Sequence, residues 1–229
     1  MIKKLAFLFS GLVLLALLGL CGLVFVFYEF GRGLPDYQQL ATYEPPVVTR
    51  VHAGDGSLIT EYAQEKRVFV PIEAIPQRVK EAFIAAEDKN FYSHPGIDPL
   101  GILRAGLTNL SHFGENRRPV GASTITQQVA KNFLLSNEVS LKRKLKEALL
   151  AFRIEQAFTK DQILELYLNE IYLGIGSYGV AAAALNYFDK SLDELTIAVR
   201  HGLAYIQRSP ALLSGFLAHA GLARTQTST

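Results

Sequence analysis

Two carboxylates stand side by side at Glu87 and Asp88, at the head of the segment EDKNFYSHPG, Glu87 to Gly96. Phe91 and His94 follow in the same segment. A second segment, GASTITQQ, runs from Gly121 to Gln128 and is dense in hydroxyls and amides. Adjacent acids suit general acid–base chemistry, because a like charge next door and an apolar wall can raise the pKa of one of them. Glu87 and Asp88 also end a helical pattern, VKEAFIAAED, with apolar residues at Val79, Ala82, Phe83 and Ala86. The negative end of a helix dipole is a poor place for two carboxylates. The bland alternative is a solvated helix end followed by a turn at Pro95 and Gly96.

The elements around these segments read as follows. Residues 1–4 carry Lys3 and Lys4, and Leu5 to Tyr28 is a run of 24 residues without a charge. As a helix it is roughly 36 Å long, enough to cross a bilayer. It is longer than the apolar core of a cleaved signal peptide, and Leu20 before Cys21 argues against lipoprotein processing. The two lysines place the N-terminus in the cytoplasm and the remainder outside. Residues 29–46 read as a linker. Val47 to Ala53, the turn Gly54 to Gly56 and Ser57 to Ala63 have the signature of a β-hairpin, with Arg67 to Ile72 extended after it. Residues 47–75 are thus expected to be a small β element. From Pro76 the pattern is helical. Asp98 and Pro99 start a helix through about His112, apolar at Leu100, Ile102, Leu103, Leu107 and Leu110. Ser123 is the expected cap of the next helix. Ser140 caps another, with Leu141, Leu145, Leu149 and Phe152 on one face. Thr159 and Gln162 form a capping box. Gly174 to Gly179 is a glycine-rich loop before another helix, and Ser191 with Glu194 is expected to start a last one.

Bulk properties narrow the classes. The chain has 229 residues and a net charge of +2, a balance that argues neither for nor against nucleic-acid binding. Its single cysteine, Cys21, lies in the apolar run, so no disulfide within the chain is possible. The five histidines show no zinc-ligand spacing.

EDKNFYSHPG, GASTITQQ, RKLKE (Arg143 to Glu147) and KDQILELYLNEIYLG (Lys160 to Gly174) resemble, in order and spacing, four motifs of the family 51 glycosyltransferases, the peptidoglycan polymerases. The N-terminal part is most similar to class A bifunctional penicillin-binding proteins of the 1a type. The resemblance implies a mainly α, lysozyme-like domain over residues 76–198. It implies lipid II and a growing glycan strand as substrates, with membrane lipid and cell-wall synthesis proteins as partners. It implies no required cofactor, with a divalent cation such as Mg as an optional one. Glu87 matches the general base and Glu147 the second essential carboxylate, 60 residues away. Asp88, Phe91, His94, Ser123, Thr124, Gln127, Gln128, Lys131, Asn132, Arg143 and Lys144 match substrate-binding positions; the cations among them suit a leaving diphosphate. Lys160, Glu165, Tyr167 and Asn169 match the fourth motif, whose part is more structural than chemical. The apolar helix after Asp98 corresponds to the family's jaw, which touches the bilayer.

After Ala198 the motif pattern stops, and residues 195–229 contain no Asp, Glu or Lys. Residues 199–229 therefore read as an atypical tail, as in a truncated or frame-shifted product, and are expected not to pack as the family's terminal helices do. Two other classes remain open. A lysozyme-like fold also hosts glycan-cleaving hydrolases, and an inactive membrane stub is a third reading. The anchor, the cations and the STITQQ turn favour synthesis.

Overall fold

The uncharged N-terminal run forms α1, Ile2–Gly31, in a computed structural model that describes residues 2–43, 49–62, 66–115, 119–136, 138, 140–196 and 202–203. Phe9–Gly31 is long and apolar enough to cross a membrane. At its C-terminal end the Arg32 guanidinium lies 4.1 Å from the centre of the Tyr28 ring. The chain then turns inward. Asp36 accepts the N–H of Gln38 to start a short 3₁₀ turn, Tyr37–Leu40, which buries Leu40. Tyr43 packs edge-on to Phe133 at 4.7 Å.

The expected hairpin is present as β1, Thr49–His52, and β2, Leu58–Tyr62, paired antiparallel with a bulge between Val51 and His52. Its turn uses Gly56 at φ 84°. Asp55 accepts both the hydroxyl and the amide of Ser57, which hold its carboxyl below the usual carboxylate range. The expectation of one β element over residues 47–75 is corrected in one respect. Strand β3, Lys66–Arg67, does not join the hairpin; it pairs in parallel with β4, Ser177–Tyr178, from the glycine-rich loop. Arg67 also bonds Glu170, stacks over the Tyr178 ring and reaches the Tyr43 hydroxyl, so the incoming chain is tied to the helical domain at one buried ion pair.

The rest is mainly α, as expected. The helices are α2 (Gln77–Glu87), α3 (Pro99–Ser111), α4 (Ile125–Leu134), α5 (Leu141–Ala157), α6 (Lys160–Glu170) and α7 (Val180–Phe188). Helix α4 packs on both α5 and α6. Phe83, Phe91, Ile125, Leu150, Ile154, Ile163, Leu164 and Tyr167 are fully buried among them. Each such side chain is worth roughly 1.5–3 kcal/mol of apolar burial, so the core that holds α2, α4 and α5 together is a large term. Gly179, at φ 81°, lies against α6 so closely that a Cβ would come within 2.6 Å of the Asn169 carbonyl oxygen. Only glycine fits that approach.

Four local expectations change. The cap of α4 is Thr124, not Ser123: Thr124 and Gln127 form a reciprocal capping box. The face of α5 that meets the core carries Glu147, Leu150, Ala151 and Ile154. Leu149 is buried, but Leu141, Leu145 and Phe152, read as its core stripe, point outward. Ser191 and Glu194 close a turn rather than a helix, with Glu194 accepting the Ser191 amide and hydroxyl. Finally, Leu203 is buried in the same core. That side chain of the segment after Ala198 therefore packs with the domain, while nearly all of the remaining tail lies outside the described residues.

Candidate active site

Glu87 ends α2, and the chain leaves the helix through Asp88, whose N–H still bonds Ile84. The two acids part company there. Asp88 turns into the protein, where both its oxygens meet His94 Nε2 at 3.0 and 2.9 Å and Oδ2 accepts the N–H of Ile125 at 3.0 Å. His94 Nδ1 accepts the amide of Gly96, so the ring proton sits on Nε2 and is donated to Asp88. Asp88 thus supplies a carboxylate to the first turn of α4, where the unpaired amides and helix dipole favour a negative charge. Thr124 donates to the Gly96 carbonyl at 2.6 Å, closing the loop against α4.

Beneath this loop, Lys160 donates to the His94 carbonyl at 2.8 Å and to Glu155 at 2.7 Å, and lies 4.5 Å from the Phe91 ring centre. Thr126 donates to the same Glu155 oxygen at 2.5 Å. Tyr92 donates to Asp161; burial and this carboxylate push its hydroxyl up to about 12, so it stays protonated as a donor. Gly96, at φ 90°, lies where a Cβ would meet the Ala151 carbonyl oxygen at 2.7 Å. The loop after Glu87 is therefore clamped from α4, α5 and α6 together.

Glu87 remains at a cleft, where Gln128 donates to it at 3.1 Å. Two cavities meet at this residue. One, of about 510 Å³, is lined by Glu87, Gln128, Lys131, Arg143, Lys144 and Glu147 among others. The other, of about 340 Å³, shares Glu87, Val120, Gly121 and Ser123 and continues along Lys89, Asn90 and Arg104. Glu147 is buried and receives both Arg143 and Lys144. Lys144 bonds it at 2.7 Å and also donates to Ser123 at 2.6 Å. Arg143 Nε is a buried N–H without a partner among the described residues. Glu147 thus holds two cations beside the cleft, and an anion there would find an unused donor.

The structure brings Glu87, Ser123, Gln127, Gln128, Lys131, Arg143, Lys144 and Glu147 to one cavity, as expected from the motifs. Asp88 and Thr124 line the adjoining one. Phe91 and His94, matched to substrate-binding positions, lie behind the cleft. Phe91 is wholly buried and His94 nearly so, and neither lines either of these two cavities. Asn132 is exposed on α4 and lines neither. Thr124 and Gln127 spend their main bonds on the cap. The fourth motif acts as a clasp: Asn169 bonds both backbone groups of Val70, Glu165 accepts the amide of Ile72 at 2.6 Å, and Tyr167 packs against Phe83. Sequence reasoning missed Glu155, the buried partner of Lys160 and Thr126. Its one signal was an acid near the inward face of α5. It also passed over Arg104, a cation on α3 that lines the second cavity.

Residues 55–228 match the sequence family described as Transglycosylase. The chain belongs to the transglycosylase family. The family match runs on past Ala198, so it extends further than the four motifs and corrects the expectation that the resemblance ends there. Penicillin-binding protein 1A of Rickettsia bellii is 57% identical over 215 residues, 93% of this chain and 27% of that protein. Penicillin-binding protein 1A of Escherichia coli is 47% identical over 178 residues, 78% of this chain and 21% of that protein. The chain thus spans about a quarter of the length of these curated relatives. The crystal structure of penicillin-binding protein 1A from Haemophilus influenzae aligns with 74% of this chain and 15% of its own, at 26% identity and a TM-score of 0.36, a level of similarity that carries no argument. As a transglycosylase, the chain presents one half-buried carboxylate, Glu87, where two cavities join.

Proposed function

We propose that this chain is a peptidoglycan glycosyltransferase that polymerises lipid II, with Glu87 as general base. The observation that carries the reading is the place of Glu87 at the junction of two cavities, one of them edged by Lys131, Arg143 and Lys144. The cationic cavity takes the diphosphate of the growing strand, and the other takes the incoming lipid II. The acceptor C4 hydroxyl loses its proton to Glu87, and its oxygen attacks C1 of the terminal sugar. The bond from C1 to the diphosphate oxygen breaks, and undecaprenyl diphosphate departs with the electron pair. Arg143 and Lys144, held by Glu147, meet the charge that develops on that oxygen. Glu147 acts here by positioning the cations.

Three side-chain cations answer the leaving group, so the reading calls for no cofactor, with a divalent cation such as Mg as an optional addition. The exposed apolar residues of α3, Leu100, Leu103, Leu107 and Leu110, support a jaw that admits a lipid-linked substrate from the bilayer. The reading places the N-terminus in the cytoplasm, α1 as a single span of the bacterial inner membrane, and the catalytic domain in the periplasm. Partners are lipid II, the glycan strand, membrane lipid and cell-wall synthesis proteins, with no nucleic acid.

The test is to incubate the purified full chain, in detergent or vesicles, with fluorescent lipid II and resolve the products by gel. Long glycan strands are the expected result. Release of short muropeptides from preformed glycan would establish the hydrolase instead, and a folded chain with no turnover would establish the stub.

A further inference from the structure

Helix α5 carries two faces with separate tasks. Its inner face holds Glu147, Leu150 and Ile154, as described above. Its outer face carries an apolar row that is partly open: Leu141 is 85% exposed, Phe152 41% and Leu145 38%. These residues recur at steps of four and seven, one row along a helix. Each is followed at once by a cation, Leu141 by Lys142, Leu145 by Lys146 and Phe152 by Arg153. At 3.6 residues per turn the cations form a second row beside the apolar one. Lys142 and Arg153 are exposed, and Lys146 is partly so. An apolar row flanked by a basic row is the pattern of a helix lying in a lipid headgroup layer.

The position of α1 selects the same occupant. The end of α1 packs on α5, and the Arg153 guanidinium lies 3.8 Å from where a Cβ of Gly31 would stand. Gly31 closes the span Phe9–Gly31, so Arg153 lies at the level where that span leaves the hydrocarbon. Arg32 and Tyr28, the stacked pair at this end, are the residue types that settle at the interface.

We propose that the outer face of α5 seats the domain on an anionic bilayer surface, with Leu141, Leu145 and Phe152 entering the headgroup layer and Lys142, Lys146 and Arg153 binding lipid phosphates. The seating fixes the depth of the active site, because Arg143 and Lys144 belong to the same turns of the same helix. They are thereby held at headgroup depth, where the diphosphate of a lipid-linked sugar lies. The depth consequence rests on the proposed polymerase reading; the seating does not.

The chain has no tryptophan, so one introduced residue reports its own surroundings. Full-length Phe152→Trp, with Leu141→Trp as a second reporter, is placed in nanodiscs containing phosphatidylglycerol and lipids brominated near the headgroup end of the acyl chain. The expected result is blue-shifted emission, quenched by bromolipid and shielded from iodide. Most of that quenching is lost when Lys142, Lys146 and Arg153 are changed together to Glu, or when the anionic lipid is replaced by phosphatidylcholine. Iodide-accessible emission that ignores bromolipid in both reporters overturns the proposal. So does emission shielded from both quenchers and dependent on protein density, which identifies a second copy as the occupant. Neither readout involves turnover, so a chain that seats as expected but makes no glycan counts against the polymerase reading alone.

Discussion

His94 gives its Nε2 proton to Asp88, and the same carboxylate receives the first amide of α4 at 3.0 Å. The end of α2, the loop after it and the start of α4 are therefore joined through one buried side-chain pair. That pair sets the distance between Glu87 on α2 and Gln128 on α4, the contact seen at the cleft.

Removing one member of this pair leaves the other buried and unmatched. Leaving a buried donor or acceptor unsatisfied in this way costs about 1–3 kcal/mol for each group. Asp88→Ala is expected to lower the unfolding midpoint strongly. The closer replacement Asp88→Asn keeps the shape and part of the bonding, and is expected to fold with turnover reduced about 10²-fold through misplacement of Glu87. Thermal unfolding and lipid II turnover measured on the same preparations check both. An Asp88→Asn protein with full turnover would show that Glu87 is placed by other contacts.

Glu87→Gln removes the proposed base and keeps a side chain of the same size beside Gln128. The expected loss of polymerisation is about 10²- to 10⁴-fold, with the unfolding temperature unchanged. Rates on labelled lipid II with and without the substitution are the measurement, and a wild-type rate would remove Glu87 from its role.

Arg143 and Lys144 both pair with Glu147. A hydrogen bond to a charged group is worth about 1.5–3 kcal/mol, so Arg143→Ala is expected to weaken capture of a diphosphate-bearing lipid by about tenfold or more. Glu147→Gln is expected to act differently, releasing both cations from their fixed places and lowering kcat more than it raises KM. Titration with undecaprenyl diphosphate and steady-state kinetics separate the two. Equal effects on kcat and KM from both substitutions would count against a positioning role for Glu147.

Asp98 caps α3 by accepting the Gly101 amide at 2.9 Å, with Asn90 donating to its other oxygen at 3.0 Å. The Gly101 amide first, then Asn90, holds this carboxyl below the usual carboxylate range. A depressed folded value means the stabilisation is present in full above the unfolded value of about 3.9 and is lost as pH falls through the lower folded one. Asp98→Ala is expected to cost about 1 kcal/mol at pH 7 and nothing once the pH is below both values. Denaturant unfolding of the two proteins from pH 7 to the acid limit should show the curves converging. A gap that persists unchanged in acid would mean the cap is not electrostatic.

What the sequence determined by itself were the features that depend on neighbours in the chain. The caps by Asp98 and Ser140 and the Thr159–Gln162 box join residues three positions apart, and the hairpin turn is read from its own Gly-Asp-Gly. The motif residues that line the cleft were legible too, because their types and order carry the resemblance. Tertiary structure alone decided which apolar row of α5 meets the core. That helix has two, and periodicity gives the angle between them without saying which side is covered. It alone decided that His94 and Phe91 are buried within the loop after Glu87. It also decided that Asn169 and Glu165 hold Val70 and Ile72, since these partners lie 99 and 93 residues away in the chain. A polar side chain's task is set by whichever group desolvation leaves it facing, and only packing of distant segments determines that group.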